Sequence, residues 1–99
     1  MLTAVKLALG ITIDDLDADI IATINIARAE LIRSGITEEK AMSDDDSLIE
    51  QAIKTYCKAI YTSDINKSEK LMESFKYQQE CIRKSKGYSN DWCLSVNKS

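Results

Sequence analysis

Not one proline occurs in the 99 residues, and glycine appears only three times. Tight turns are built largely from those two residues, so a sandwich or barrel of many short strands has little to turn with. Long helices with few breaks suit such a chain. With 44% of its residues hydrophobic, the sequence can fill one modest core. The expected fold is all-α: a small bundle of four helices, one short and three longer, followed by a polar C-terminal tail. Residues 1–90 form the domain and 91–99 the tail.

The apolar spacing places those helices. Leu2, Val5 and Leu9 recur at helical intervals, and Gly10 stands where a left-handed cap belongs. The second helix is expected from about Asp15 to Ser34. Its stripe is Leu16, Ile20, Ile24, Ala27 and Leu31, widened by Ile21 and Ile32, and Gly35 ends it. Ile26 lies roughly opposite this stripe and is a candidate subunit contact. Residues 36–47 read as a polar link. The third helix is expected from about Asp45 to Tyr61, with Leu48, Ala52, Tyr56 and Ala59 inward, flanked by Ile49, Ile53 and Ile60. The fourth covers about Ile65 to Ser85 and buries Leu71, Phe75 and Ile82, with Met72 at the edge and Gln79 as an interruption. The second and third helices carry the densest stripes and are expected to form the core pair. Each large apolar side chain gains about 1.5–3 kcal/mol on burial, most of which chain entropy offsets in so short a domain. Oligomerisation is a natural supplement.

The net charge is −3, but it is unevenly spread. Residues 1–50 hold four Lys and Arg against eleven Asp and Glu, a net of −7. Residues 51–99 hold nine against five, a net of +4. Such asymmetry favours head-to-tail contact between copies or an oppositely charged partner. The three cysteines, Cys57, Cys81 and Cys93, are far apart, and histidine is absent, so Cys/His zinc sites and cysteine–histidine dyads are excluded. Cys57 and Cys81 sit beside apolar stripes and read as partly buried reduced thiols. No apolar run reaches the roughly 20 residues of a membrane span, and the N-terminus lacks the pattern of a signal peptide. A soluble protein made inside the cell is expected.

Two acidic clusters invite a sharper reading. "GITIDDLDAD" places four aspartates in six residues, Asp14 to Asp19. An EF-hand loop beginning at Asp15 has ligands at its first, third and fifth positions, but Ile20 replaces the turn glycine and Ile26 the closing glutamate. A helix start accounts for the cluster better. Asp14 or Thr12 caps, and the aspartates beyond meet the positive end of the helix dipole, at about 0.3–1 kcal/mol each. "SDDDS", Ser43 to Ser47, likewise offers caps to the third helix. No metal or cofactor site is assigned. No histidine base, glycine-rich phosphate loop or partnered nucleophile is present, so no catalytic residue is assigned and no enzyme is expected. The basic residues of the fourth helix alternate with Glu69, Glu73 and Glu80, as on a solvated face.

The order of these features resembles the head–tail connector, or adaptor, proteins of tailed bacteriophages and prophages, which are often labelled DNA-packaging proteins. The short helix carries Leu2, Val5, Lys6 and Leu9. The acidic opening carries Asp15, Asp17 and Asp19, and the long helix that ends near a glycine carries Ala27, Ala29 and Ile32. "LIEQAIKTYCKAIY" is similar to the family's "I..A...Y....Y" helix. "SEKLMESFKYQQECIRKSKGYSN" is similar to its closing segment, with Phe75 where tyrosine is usual. The likeness covers about residues 1–90. It implies a structural protein at the virion head–tail junction, present in host cytoplasm before assembly. A ring of about a dozen copies would sit on the portal protein, extend the DNA channel and dock a neck, stopper or tail-completion protein. DNA would pass without sequence-specific binding, and no membrane is involved. Ile26, Tyr88 and Trp92 become candidate subunit or portal contacts, and Asp44, Asp45 and Asp46 candidate channel-facing acids. The competing expectations are a DNA-recognising phage protein, such as a small terminase subunit or helix-turn-helix regulator, and a generic helical interaction module.

Overall fold

Gly10 and Gly35 act as their positions imply. Gly10 has φ 74°, and Gly35 has φ 114°. That left-handed conformation turns the chain back so that the orphan carbonyls at each helix end are met. Gly10 N–H donates to Leu7 and Ile11 N–H to Lys6, at 3.2 and 2.9 Å. Gly35 N–H donates to Ile32 and Ile36 N–H to Leu31, at 3.0 and 3.2 Å. The second cap also drops Ile36 into the core, where it is 2% exposed.

The computed structural model describes residues 1–85, 87 and 88. They form five helices: α1 (Leu2–Leu9), α2 (Asp17–Arg33), α3 (Glu38–Ala41), α4 (Ser47–Tyr61) and α5 (Ile65–Lys84). No strand occurs among the described residues, so the all-α expectation holds with one helix more. The extra helix, α3, lies inside the stretch read as a polar link. Thr37 caps it by accepting from Lys40 N–H at 3.3 Å, and Ile36 before it and Ala41 at its end are buried. Trp92 and the tail lie outside the described residues.

The centre of the fold also differs from expectation. α4, not the α2–α4 pair, is the hub. It packs most extensively against α5, and α1 and α2 share its remaining faces. A three-residue link folds α5 back along α4, capped by Asp64, and Ser68 Oγ donates to the Ala59 carbonyl at 2.8 Å. Tyr56 and Phe75 meet across this hairpin with ring centroids 4.9 Å apart at a 59° tilt. The α4 stripe is accordingly rotated. Ile49, Ile53 and Cys57 are fully buried, whereas Leu48 and Ile60 are about half exposed. In α2, Ile21 and Ile32 are exposed, and the buried surface widens instead through Thr23 and Arg28. Gln79 interrupts the α5 stripe for a reason: its amide donates to the Glu30 carbonyl at 3.1 Å, joining α5 to α2.

The two described thiols part company. Cys57 is fully buried, and burial pushes its pKa up to about 11, while Cys81 is exposed rather than partly buried. Thiolate is the reactive form. Alkylation followed by peptide mapping should label Cys81 freely. Cys57 should react slower by the ratio of closed to open protein, about a thousandfold or more. Comparable labelling of both in the native protein would refute this burial pattern.

Candidate functional site

Both acidic clusters hold the fold together, each in its own way. At the first, neither Asp14 nor Thr12 caps α2. The cap position belongs to Leu16, which has no side-chain acceptor. Asp14 and Asp17 instead receive Lys6 Nζ at 2.9 and 2.8 Å, so one ammonium clamps α1 to the opening of α2. Lys6 is held above its ordinary pKa by Asp17 and then by Asp14. The dipole argument placed acids correctly at this helix start, but the lysine eight residues before Asp14 outcompeted the backbone for them.

The second cluster is the more elaborate. It gathers the end of α3, the start of α4, the middle of α2 and the segment after α5. Arg28 enters from α2 and is 5% exposed. Its Nη1 donates to the Ala41 and Ser43 carbonyls at 2.9 and 3.1 Å, and its Nη2 donates to Asp44 at 2.6 Å. The planar fork of arginine serves all three acceptors at once. Asp46 caps α4, accepting from Leu48 and Ile49 N–H at 3.0 and 3.2 Å. Its other oxygen accepts from the Tyr88 hydroxyl at 2.6 Å. Tyr88 is further fixed by Thr37 N–H, which donates to its carbonyl at 2.8 Å, and by Lys40 Nζ, 5.1 Å from its ring centroid. Partial burial works to raise the Asp46 carboxyl. The Tyr88 hydroxyl, the Ile49 and Leu48 amides and the Lys40 charge outweigh it and hold the group below its ordinary value. The Tyr88 hydroxyl is raised in turn, first by that same bond.

The candidate residues therefore divide. Asp44 and Asp46 are committed to Arg28 and to the α4 cap, while Asp45 is exposed and its carboxylate meets no cation among the described residues. Tyr88 is half-buried and latches the chain to itself. Ile26 is 52% exposed on α2. Arg28, the residue that organises the cluster, escaped the sequence reading because a lone arginine beside an apolar stripe looks like any solvated one. Among the described residues no three carboxylates or thiols converge as cation ligands. No helix among them is long and apolar enough to cross a membrane.

A third feature lies at the far end of α4. A groove of about 620 Å³ opens between the end of α1, the loop to α2, the end of α4 and the start of α5. Leu9, Leu16, Tyr61 and Leu71 line it, and Lys58 and Lys67 stand on it. These surfaces carry charge and apolar contact area, the materials of protein–protein recognition.

Comparison with known proteins agrees with a binding role of that kind. No curated protein and no solved structure matches the chain. A family described as phage connector protein matches residues 1–85, spanning all five helices. Its members are structural proteins of the phage head–tail junction, not enzymes. On that match, the chain belongs to the phage connector protein family.

Proposed function

We propose that this chain assembles as a ring on the portal protein at the head–tail junction, extending the DNA channel and docking the next neck or tail component. The observation that carries the reading is the family match over residues 1–85. The split of charge between the two halves of the sequence supports it, because such asymmetry favours contact between copies.

Within this reading Ile26 and Trp92 serve as subunit or portal contacts, together with whatever edge of Tyr88 its latch leaves open. Asp44, Asp45 and Asp46 line the channel, where negative charge repels DNA and lets it slide. Asp45 carries most of that effect, since Arg28 already offsets Asp44. Residues 1–90 act as the connector domain and 91–99 as an appended tail.

Electron microscopy of the purified protein mixed with its portal protein tests the reading. The expected result is a ring of added density on the portal's outer face. Portal particles that stay bare at saturating connector would refute it. A channel role for the acids is tested by reversing Asp45 to lysine. Slowed DNA passage with intact particles is expected, and unchanged packaging and ejection would remove the role.

A further inference from the structure

The two ends of α4 present different surfaces, although Asp14, Asp15 and Asp64 are exposed on segments bordering the second. At its start, residues 38–48 form a corner with Met42 51% and Leu48 45% exposed. Glu38 and Glu39 are exposed on the same stretch, and neither meets a cation among the described residues. The corner's one lysine, Lys40, lies over the Tyr88 ring. At the other end is the groove, with apolar walls and the exposed Lys58 and Lys67. Neither lysine meets a carboxylate among the described residues. The segments that border the groove also carry the two most exposed large apolar side chains among the described residues, Leu7 at 78% and Ile65 at 75%.

We propose that the groove receives the acidic corner of a second copy of this chain. Three observations favour a second copy over other occupants. The charges that line the groove itself, Lys58 and Lys67, complement Glu38 and Glu39 of the corner. Each surface also presents apolar side chains, so contact removes hydrocarbon from water on both sides. The surfaces stand at opposite ends of a 15-residue helix, about 20 Å apart, so one protomer cannot satisfy both by folding on itself. A contact of this kind is heterologous. Each copy uses its corner on one neighbour and its groove on the other, and the series closes into a ring when the rotation allows. The complementary charges set the register, and the apolar contacts supply the affinity. This inference rests on the ring reading above and names the surfaces that build the ring.

A charge-swap experiment tests it. One variant reverses the groove, Lys58→Glu with Lys67→Glu, and another reverses the corner, Glu38→Lys with Glu39→Lys. All four positions are exposed, and circular dichroism should show that each variant keeps its helices. Self-association is measured by sedimentation velocity over a concentration series, alone and with portal protein. Each variant by itself should associate at least about tenfold more weakly than the parent. Mixed in equal amounts, they should recover, because every joint then pairs unlike charges again. A parent chain that never associates, alone or with portal, would sink the ring reading and this inference with it. Association that survives in both variants would overturn only the choice of surfaces. Loss without recovery on mixing would overturn the pairing and point to another occupant of the groove, such as residues 89–99 or an unrelated protein.

Discussion

Replacing Arg28 with alanine is expected to cost about 2–4 kcal/mol of unfolding free energy, a large share of what a domain of this size has. The cost does not come mainly from the ion pair. Asp44 is 67% exposed and regains water when its partner leaves. An exposed carboxylate gains little from a salt bridge, so Asp44→Ala should cost under about 1 kcal/mol. The loss falls on the Ala41 and Ser43 carbonyls, which surrender a charged donor inside the protein, and on the packing of the arginine stem. Arg28→Met keeps the stem and should recover part of the loss. Arg28→Lys should recover less than charge conservation suggests, because one ammonium cannot hold three acceptors in the same plane. Urea unfolding of the four variants checks the ordering. Equal losses for the Arg28→Ala and Asp44→Ala variants would mean that the ion pair, and not the carbonyl fork, holds the corner.

Asp46→Ala is the second large effect, expected at about 2–3 kcal/mol from the loss of an N-cap and of a hydrogen bond to a charged group. Asp46→Asn keeps a cap acceptor and should lose less. The pH dependence follows from the direction of the shift. The folded protein holds Asp46 below its ordinary value of 3.8, so its unfolded form binds protons first as pH falls. The stabilising contribution is complete above the unfolded pKa and disappears as pH drops through the folded one. The gap between the parent and the Asp46→Asn variant should therefore be flat from about pH 5 to 8 and narrow below about pH 4. At the alkaline end Tyr88 is raised above 10.0, so its contribution is complete below pH 10 and is lost as pH rises through the folded value. Tyr88→Phe should remove that limb while leaving the loss due to Cys57, whose thiol ionises near 9.0 unfolded and near 11 folded. A gap that keeps its full size at pH 3 would contradict this account of Asp46.

Much of the fold was legible because short-range chemistry dictates it. α1 was read to the residue, since three apolar positions and a capping glycine define it without help from the rest of the chain. α5 was placed within one residue for similar reasons. What sequence could not decide was rotation. In α4 the residues Leu48, Ile49, Ala52, Ile53, Tyr56, Cys57, Ala59 and Ile60 form an apolar band too broad to name its own centre. Packing against α5 chose Ile49, Ile53 and Cys57. α3 was hidden by composition. Its signals were a threonine cap, acids in its first turn and a lysine in its last, but a four-residue helix has no periodicity to detect. Of the acidic clusters, the helix-start role was readable and the partners were not. Lys6, Arg28 and Tyr88 reach them across 8, 16 and 42 residues of sequence.

The longest of those links has a practical consequence for anyone attaching a label. The Tyr88 hydroxyl on Asp46 holds Tyr88 at the acidic corner and not at the groove. A label attached beside Tyr88 stands at that corner. In the proposed head-to-tail order that point borders a joint with the next copy. A bulky group at that place would crowd every joint, whereas a small dye there would report on the closing of each one.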